Sequence, residues 1–177
     1  HEIGIHMLTT INASKQPLKI LRIGVPGNTK TQEGMAILAE YLSDNMTISR
    51  LQDLALRVVA VDMMVKGKSF IDVFEILVDE YKLEPEQAFY LSTRVFRGGG
   101  FTKDYLYLTG FKQMLDYYNE KEDFTPLLIG KTSLQCKSII IELLERKILV
   151  APSFVPDIFT SSPSRDLTLL YLLECLK

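Results

Sequence analysis

His1-Glu2-Ile3-Gly4-Ile5-His6 decides how the rest of the chain is read. Only two histidines occur in the 177 residues, and both stand here, bracketing a glutamate that directly follows the first. A helix that offers two imidazoles to a zinc ion and sets a carboxylate beside the metal has this composition. The usual spacing is four residues, which leaves the histidines about 40° apart around an α-helix. At five residues they stand about 140° apart and aim at different neighbours. Both face one ion only if the turn widens locally, as in a π-bulge, a feature found mostly at functional sites. Gly4, inside the motif, eases such a distortion. The stretch therefore predicts a metal site, with Zn2+ as the cofactor, on a helix whose first turn is non-standard. A motif this short is also compatible with two surface histidines, so it needs support from elsewhere in the chain.

Apolar residues make up 47% of the chain and charged ones 24%, the balance of an ordinary soluble globular protein. The length suits a single domain over 1–177 with a substantial core. A net charge of −2 gives no reason to expect a nucleic-acid or anionic-membrane partner. No apolar run reaches the roughly 18 residues of a membrane span. Cys136 and Cys175 lie far apart without metal-ligand spacing, and read as reduced, buried thiols of a cytoplasmic protein. A chain that opens on a metal ligand is expected to be the C-terminal portion of a larger catalytic domain, truncated before His1. Such a fragment exposes apolar surface, so self-association is expected.

Periodicity predicts a mainly α fold. Residues 1 to about 13 read as helix, and Leu18 to Ile23 as a short extended run between Pro17 and Gly24. Thr29-Lys30-Thr31-Gln32 has the Thr-x-x-Gln form of a capping box ahead of a helix to about Ser43. Further helices are expected over 48–65, from Ser69 and Asp72 to about Lys82, and from Pro85 to about Phe96. Three glycines, Gly98 to Gly100, break the chain before Thr102 caps a helix over 103–119. Helices over 133–147 and 166–176 complete the reading, with at most a short strand pair. Tyr117-Tyr118 and the set Phe70, Phe74 and Tyr81 are helically spaced aromatics expected in the core. Gly130-Lys131-Thr132 mimics a phosphate-binding loop, but the earlier glycine that loop requires would fall at Thr125.

A catalytic zinc takes three protein ligands and keeps a fourth position open. With both histidines used, the third ligand must be a carboxylate or a thiolate. Glu33 is the best candidate, since it lies in the first turn of a helix and precedes Gly34, which lets another backbone or a substrate approach. Acidic residues also favour helix N-termini for electrostatic reasons alone. Glu40, two turns on and on nearly the same face, is the alternative ligand or a partner of one. Cys136 is more remote in sequence.

Three motifs in order, His1 to His6, Thr31-Gln32-Glu33-Gly34-Met35-Ala36 and Arg97-Gly98-Gly99-Gly100-Phe101-Thr102-Lys103-Asp104, resemble the microtubule-associated tyrosine carboxypeptidase family. Bacterial relatives of that family carry a QEGLA motif and are labelled flavohaemoglobin expression-modulating proteins. The likeness extends to Gly130-Lys131 and the Pro152/Pro156 tail. It implies a zincin-like metallopeptidase domain with His1, His6 and Glu33 as zinc ligands and Glu2 as catalytic base. It also implies removal of a C-terminal residue from a protein or peptide. The alternative is a non-catalytic regulatory domain that retains the fold. Retention of Glu2 argues against that alternative, because a structural zinc site needs no base.

A carboxypeptidase needs a cation for the terminal carboxylate and a donor for the oxyanion. Arg97 and Lys103, with the amides of Gly98 and Gly99, are the groups expected to bind the carboxylate, and Tyr105 is the expected oxyanion donor. A glycine run between helices is also a common C-cap, and Asp104 is at hand to neutralise the cations.

Overall fold

The computed structural model describes residues 2–98, 103–160 and 166–176. Among the described residues every regular element is helical and there is no strand. The α-helices are α1 (Leu8–Ser14), α2 (Ile20–Ile23), α3 (Asn28–Leu42), α4 (Ile48–Val65), α5 (Phe70–Asp79), α6 (Pro85–Phe96), α7 (Leu106–Asn119), α8 (Lys137–Glu145) and α9 (Leu167–Glu174). They form two compact units, residues 1–46 with 109–177 and residues 47–108.

The first unit opens on a π-helical turn, Glu2–Met7, that runs straight into α1. α3 packs across this turn. Ile37, Leu38 and Tyr41, at helical spacing on α3, are all buried, and the Tyr41 ring sits edge-on to Phe111 at 6.0 Å. Such side chains each contribute about 1.5–3 kcal/mol on burial. α3 and α7 cross with almost no space between their backbones. A Cβ on Gly34 would stand 2.3 Å from the Gly110 carbonyl oxygen, and one on Gly110 would stand 2.4 Å from that of Lys30. The opening expected at Gly34 thus admits another backbone, that of Gly110.

Two local readings fail here. Thr29 to Gln32 is no capping box, because α3 starts earlier, at Asn28, on an N-cap Gly27 with φ of 76° and no side-chain cap bond. Thr29 and Gln32 already lie inside the helix, and the Gln32 amide is drawn to other partners. Leu18 to Ile23 is not extended either. Its backbone closes into a turn, with N–H groups of Leu21 and Gly24 donating to the carbonyls of Leu18 and Ile20. Gly24, at φ of 117°, ends that turn where an L side chain would be strained. Leu21 and Val25 still pair with the chain at Lys131, through Lys131 N–H to Leu21 O (2.8 Å) and Val25 N–H to Lys131 O (3.0 Å). Two bonds without a ladder take the place of the strand pair.

The second unit is built from α4, α5 and α6 around Leu56, Ala60, Val73, Leu77, Ala88, Leu91 and Val95. Its helix boundaries follow the sequence signals closely. Ser69 caps α5 with a reciprocal box, accepting from Asp72 N–H while Asp72 Oδ2 accepts from Ser69 N–H. These bonds hold the Asp72 carboxyl below its usual pKa. Pro85 occupies the first turn of α6.

The aromatic and thiol expectations divide. Tyr117 is buried edge-on against Phe124 at 4.9 Å, and Phe70 meets Phe89 and Phe96 edge-on at 5.7 Å. Tyr81 is exposed instead, since α5 ends at Asp79 and turns it outward. Cys136 is only half-buried and Cys175 is exposed, because it sits at the C-cap of α9 rather than on the helix's inner face.

Candidate active site

The π turn does what the spacing of the histidines requires. Hydrogen bonds that close at i+5 put residues five apart on one face, as i+4 bonds do for residues four apart. Gly4 is not what permits this. Its φ lies outside the left-handed region, and a Cβ there would meet nothing within 4 Å. Glycine here leaves bare the wall of a cleft of about 430 Å³, shared with Ile5, Glu40, Pro156 and Ile158.

Across the turn, His6 Nε2 stands 3.5 Å from Oε2 of Glu33. The Glu33 side chain is almost entirely buried, while that of His6 retains 27% exposure. This separation is long for a direct hydrogen bond and matches a shared ion. Two ligands at about 2.1 Å on a tetrahedral centre are about 3.4 Å apart. Among the described residues no three His, Cys, Asp or Glu side chains converge as a ligand set. His1, the third residue of the expected set, and the side chain of Glu2 lie outside the described residues. Glu40 lines the neighbouring cleft, and Glu33 stands beside the imidazole.

Each residue of Gln32-Glu33-Gly34 has a separate task. Gln32 is buried, with Oε1 2.9 Å from the Thr9 hydroxyl and Nε2 donating to the Gly130 carbonyl at 3.4 Å. Thr9, one turn beyond His6, is itself buried and also lies 2.9 Å from the Ile5 carbonyl. Its single proton serves one of these acceptors at a time. The net effect is a polar tie between the helix that carries His6 and the helix that carries Glu33. Gly34 supplies the close crossing to Gly110. Gly130 is tight for a similar reason, since a Cβ there would fall 2.9 Å from Leu21 Cβ.

Asn12 and Gln16, one turn apart, hold α1 to the later chain. The Asn12 amide donates to the carbonyls of Leu128 (2.9 Å) and Phe154 (2.8 Å), and its oxygen accepts from the N–H groups of Ser153 and Phe154. Gln16 exchanges a pair of bonds with the Val150 backbone. Motif reading singles out neither residue. Asn12 lies on α1 and Gln16 just beyond its end, and both are buried.

The groups expected to bind substrate belong to the second unit. Arg97 is exposed at the C-cap of α6, Gly98 follows it in an exposed turn, and Gly99 lies outside the described residues. Lys103 lies 5.5 Å over the Tyr107 ring, and Tyr105 is 43% exposed. The buried cationic pair of this unit is a different one, Arg57 and Arg94, gathered on the buried carboxylate of Asp104. Arg94 donates from both Nε (2.9 Å) and Nη2 (2.7 Å) to Asp104 Oδ1. Arg57 Nη1 lies 4.0 Å from the same oxygen. Burial works against the Arg94 charge, but hydrogen bonds with Tyr90 and Asp104 outweigh it and raise its pKa. Arg57 goes the other way, lowered by burial and then by the nearby charges of Arg94 and Arg50.

The fold and this geometry define a helical protein that brings an imidazole and a buried carboxylate from separate helices to one point. The profile of the microtubule-associated tyrosine carboxypeptidase family matches residues 1–177, and the chain belongs to that family. Its activity class at that coarse level is a carboxypeptidase, with a protein as the substrate. No curated protein and no solved structure matches the chain. Among the described residues no helix is long and apolar enough to cross a membrane.

Proposed function

We propose that the chain acts as a zinc-dependent metallopeptidase of zincin-like type, removing a C-terminal residue from a protein or peptide. The observation that carries this reading is the 3.5 Å approach of His6 to Glu33 across a π turn. His1, five residues before His6 in sequence, completes the ligand set. Bound there, zinc supplies a Lewis acid that polarises the scissile carbonyl and brings the pKa of water to about 7.

The remaining steps fall to side chains. Glu2, adjacent to the first ligand, takes the proton of the attacking water and returns it to the leaving amine. Tyr105 donates to the developing oxyanion, and Arg97 and Lys103, with the amides of Gly98 and Gly99, fix the terminal carboxylate. Thr9 and Gln32 position rather than react, by keeping the two ligand-bearing helices in register.

Metal content and peptide cleavage test this together. The full chain is expected to bind one zinc and to shorten peptides by one C-terminal residue. Glu33→Gln should lose the metal, while Glu2→Gln should keep it and lose at least about a hundredfold in kcat, the usual contribution of a general base. Full zinc occupancy with no cleavage of any C-terminus would sink the peptidase reading in favour of a regulatory domain.

A further inference from the structure

The second unit holds a cavity of about 290 Å³ with a polar lining of Arg57, Arg94, Tyr90 and Gln87, and with Asp53 and Glu86 also on its wall. Two guanidiniums meet the buried carboxylate of Asp104, while the acids on the cavity wall, Asp53 and Glu86, are exposed. Arg94 donates to Asp104 twice, at 2.7 and 2.9 Å. Arg57 is left with an ion pair at 4.0 Å and the face of Tyr107 at 5.4 Å. Among the described residues its guanidinium makes no hydrogen bond, although its side chain is only 13% exposed. A charge so placed has lost most of its water without regaining acceptors, which is costly unless something else supplies them. The lowered pKa of Arg57 reports the same deficit. Tyr90 adds a donor. Its hydroxyl oxygen accepts from Arg94 Nη1 at 3.4 Å, which leaves its own proton for a ligand.

We propose that this cavity is a carboxylate-binding site, with Arg57 and Tyr90 as donors and Arg94 as the charge behind them. Leu83 and Leu91 give it an apolar side, which suits a carboxylate borne on a hydrocarbon body. Asp53 and Glu86, both exposed at its edge, repel a second negative charge and so select a monoanion over phosphate. The planar fork of arginine matches a carboxylate in two bonds. The site lies wholly within the second unit and does not depend on a metal or on peptidase activity.

The carboxylate has two sources, a chain terminus or an acidic side chain. Arginine Nε–H signals of the full chain, followed by NMR, distinguish them with N-acetyl-leucine and N-acetylglutamate α-amide as probes. N-acetyl-leucinamide and inorganic phosphate serve as controls. Either carboxylate is expected to shift the Arg57 and Arg94 signals saturably at millimolar concentration, and the tighter one names the source. Arg57→Gln should weaken binding by about tenfold, equivalent to 1.4 kcal/mol, with the far-ultraviolet circular dichroism unchanged. Arg57→Lys, which keeps the charge but not the fork, should fall between. Equal binding of the neutral amide, preference for phosphate, no shift with either carboxylate, or an unchanged affinity in Arg57→Gln would each overturn the assignment.

Discussion

Asp104 illustrates how one residue sets the electrostatics of its neighbourhood. Its carboxylate is 3% exposed and faces two guanidiniums. On the sequence it looks like a local neutraliser for Lys103 or Arg97, its neighbours along the chain. The fold also sets it against Arg94 and Arg57, which no spacing rule connects to it, because helix packing brings them together. Removing the charge while keeping the shape leaves two buried cations facing one another. Breaking one partner of a buried pair costs about 3–5 kcal/mol, because the survivors stay desolvated. With Arg57 and Arg94 at 13% and 16% exposure, some solvent relief applies, and the lower end of that range is expected. Asp104→Asn should therefore lower the unfolding free energy by about 3 kcal/mol in urea titration. An unchanged midpoint would mean that the two arginines are not held together by this carboxylate. Glu33 shows the opposite relation to sequence. Its helix position and the glycine after it mark it out without coordinates, and the structure sets it beside His6.

At the scale of elements, helices are legible wherever a local signal and the packing agree. Thr47, Ser69, Pro85 and Asp166 start α4, α5, α6 and α9 as their side chains dictate. The π turn is legible as well, since histidines five apart demand it. What escapes is every feature decided by a distant partner. Gln32 looks like half of a capping box, yet its amide is committed to Thr9 and Gly130, 23 and 98 residues away. Leu18 to Ile23 has strand-like composition, but no neighbouring strand exists among the described residues to pair with it. The α3–α7 crossing is the strongest case. Gly34 announces a close approach without naming Gly110, which lies on a helix where nothing local marks it. Adding a methyl at Gly34 sets Cβ 2.3 Å from a backbone oxygen and 2.9 Å from Met114 Cγ, so the helices must move apart. Overpacking of this kind costs about 1–3 kcal/mol, and a rigid backbone on the far side favours the upper end. Gly34→Ala should lose about 3 kcal/mol and shift Glu33 with it, so zinc affinity should fall alongside the melting temperature. Gly67→Ala is no substitute control, since φ there is 87° and the change is strained for another reason. A Gly34→Ala protein with full stability would show that the crossing yields without cost.

On the scale of the whole molecule, the two units divide the chemistry. The imidazole–carboxylate pair lies in residues 1–46 with 109–177, and the arginine cluster in 47–108. Each unit has its own buried apolar set, so a ligand that stabilises one need not protect the other. The proposed zinc would bind only where its ligands have converged, and such binding adds RT ln(1 + [L]/Kd) to the stability of whatever must unfold to release it. At a hundredfold excess over Kd that term is about 2.7 kcal/mol, close to a hundredfold in amide exchange rate. Hydrogen exchange with and without zinc should show that slowing at the buried amides of α1 and α3, which carry and support His6 and Glu33. Amides of α5, around Val73 and Leu77, should exchange at unchanged rates, because their opening leaves the ligands in place. Equal slowing in both units would mean that the chain opens only as a whole. Slowing confined to α5 would remove the metal from the first unit and take the proposed chemistry with it.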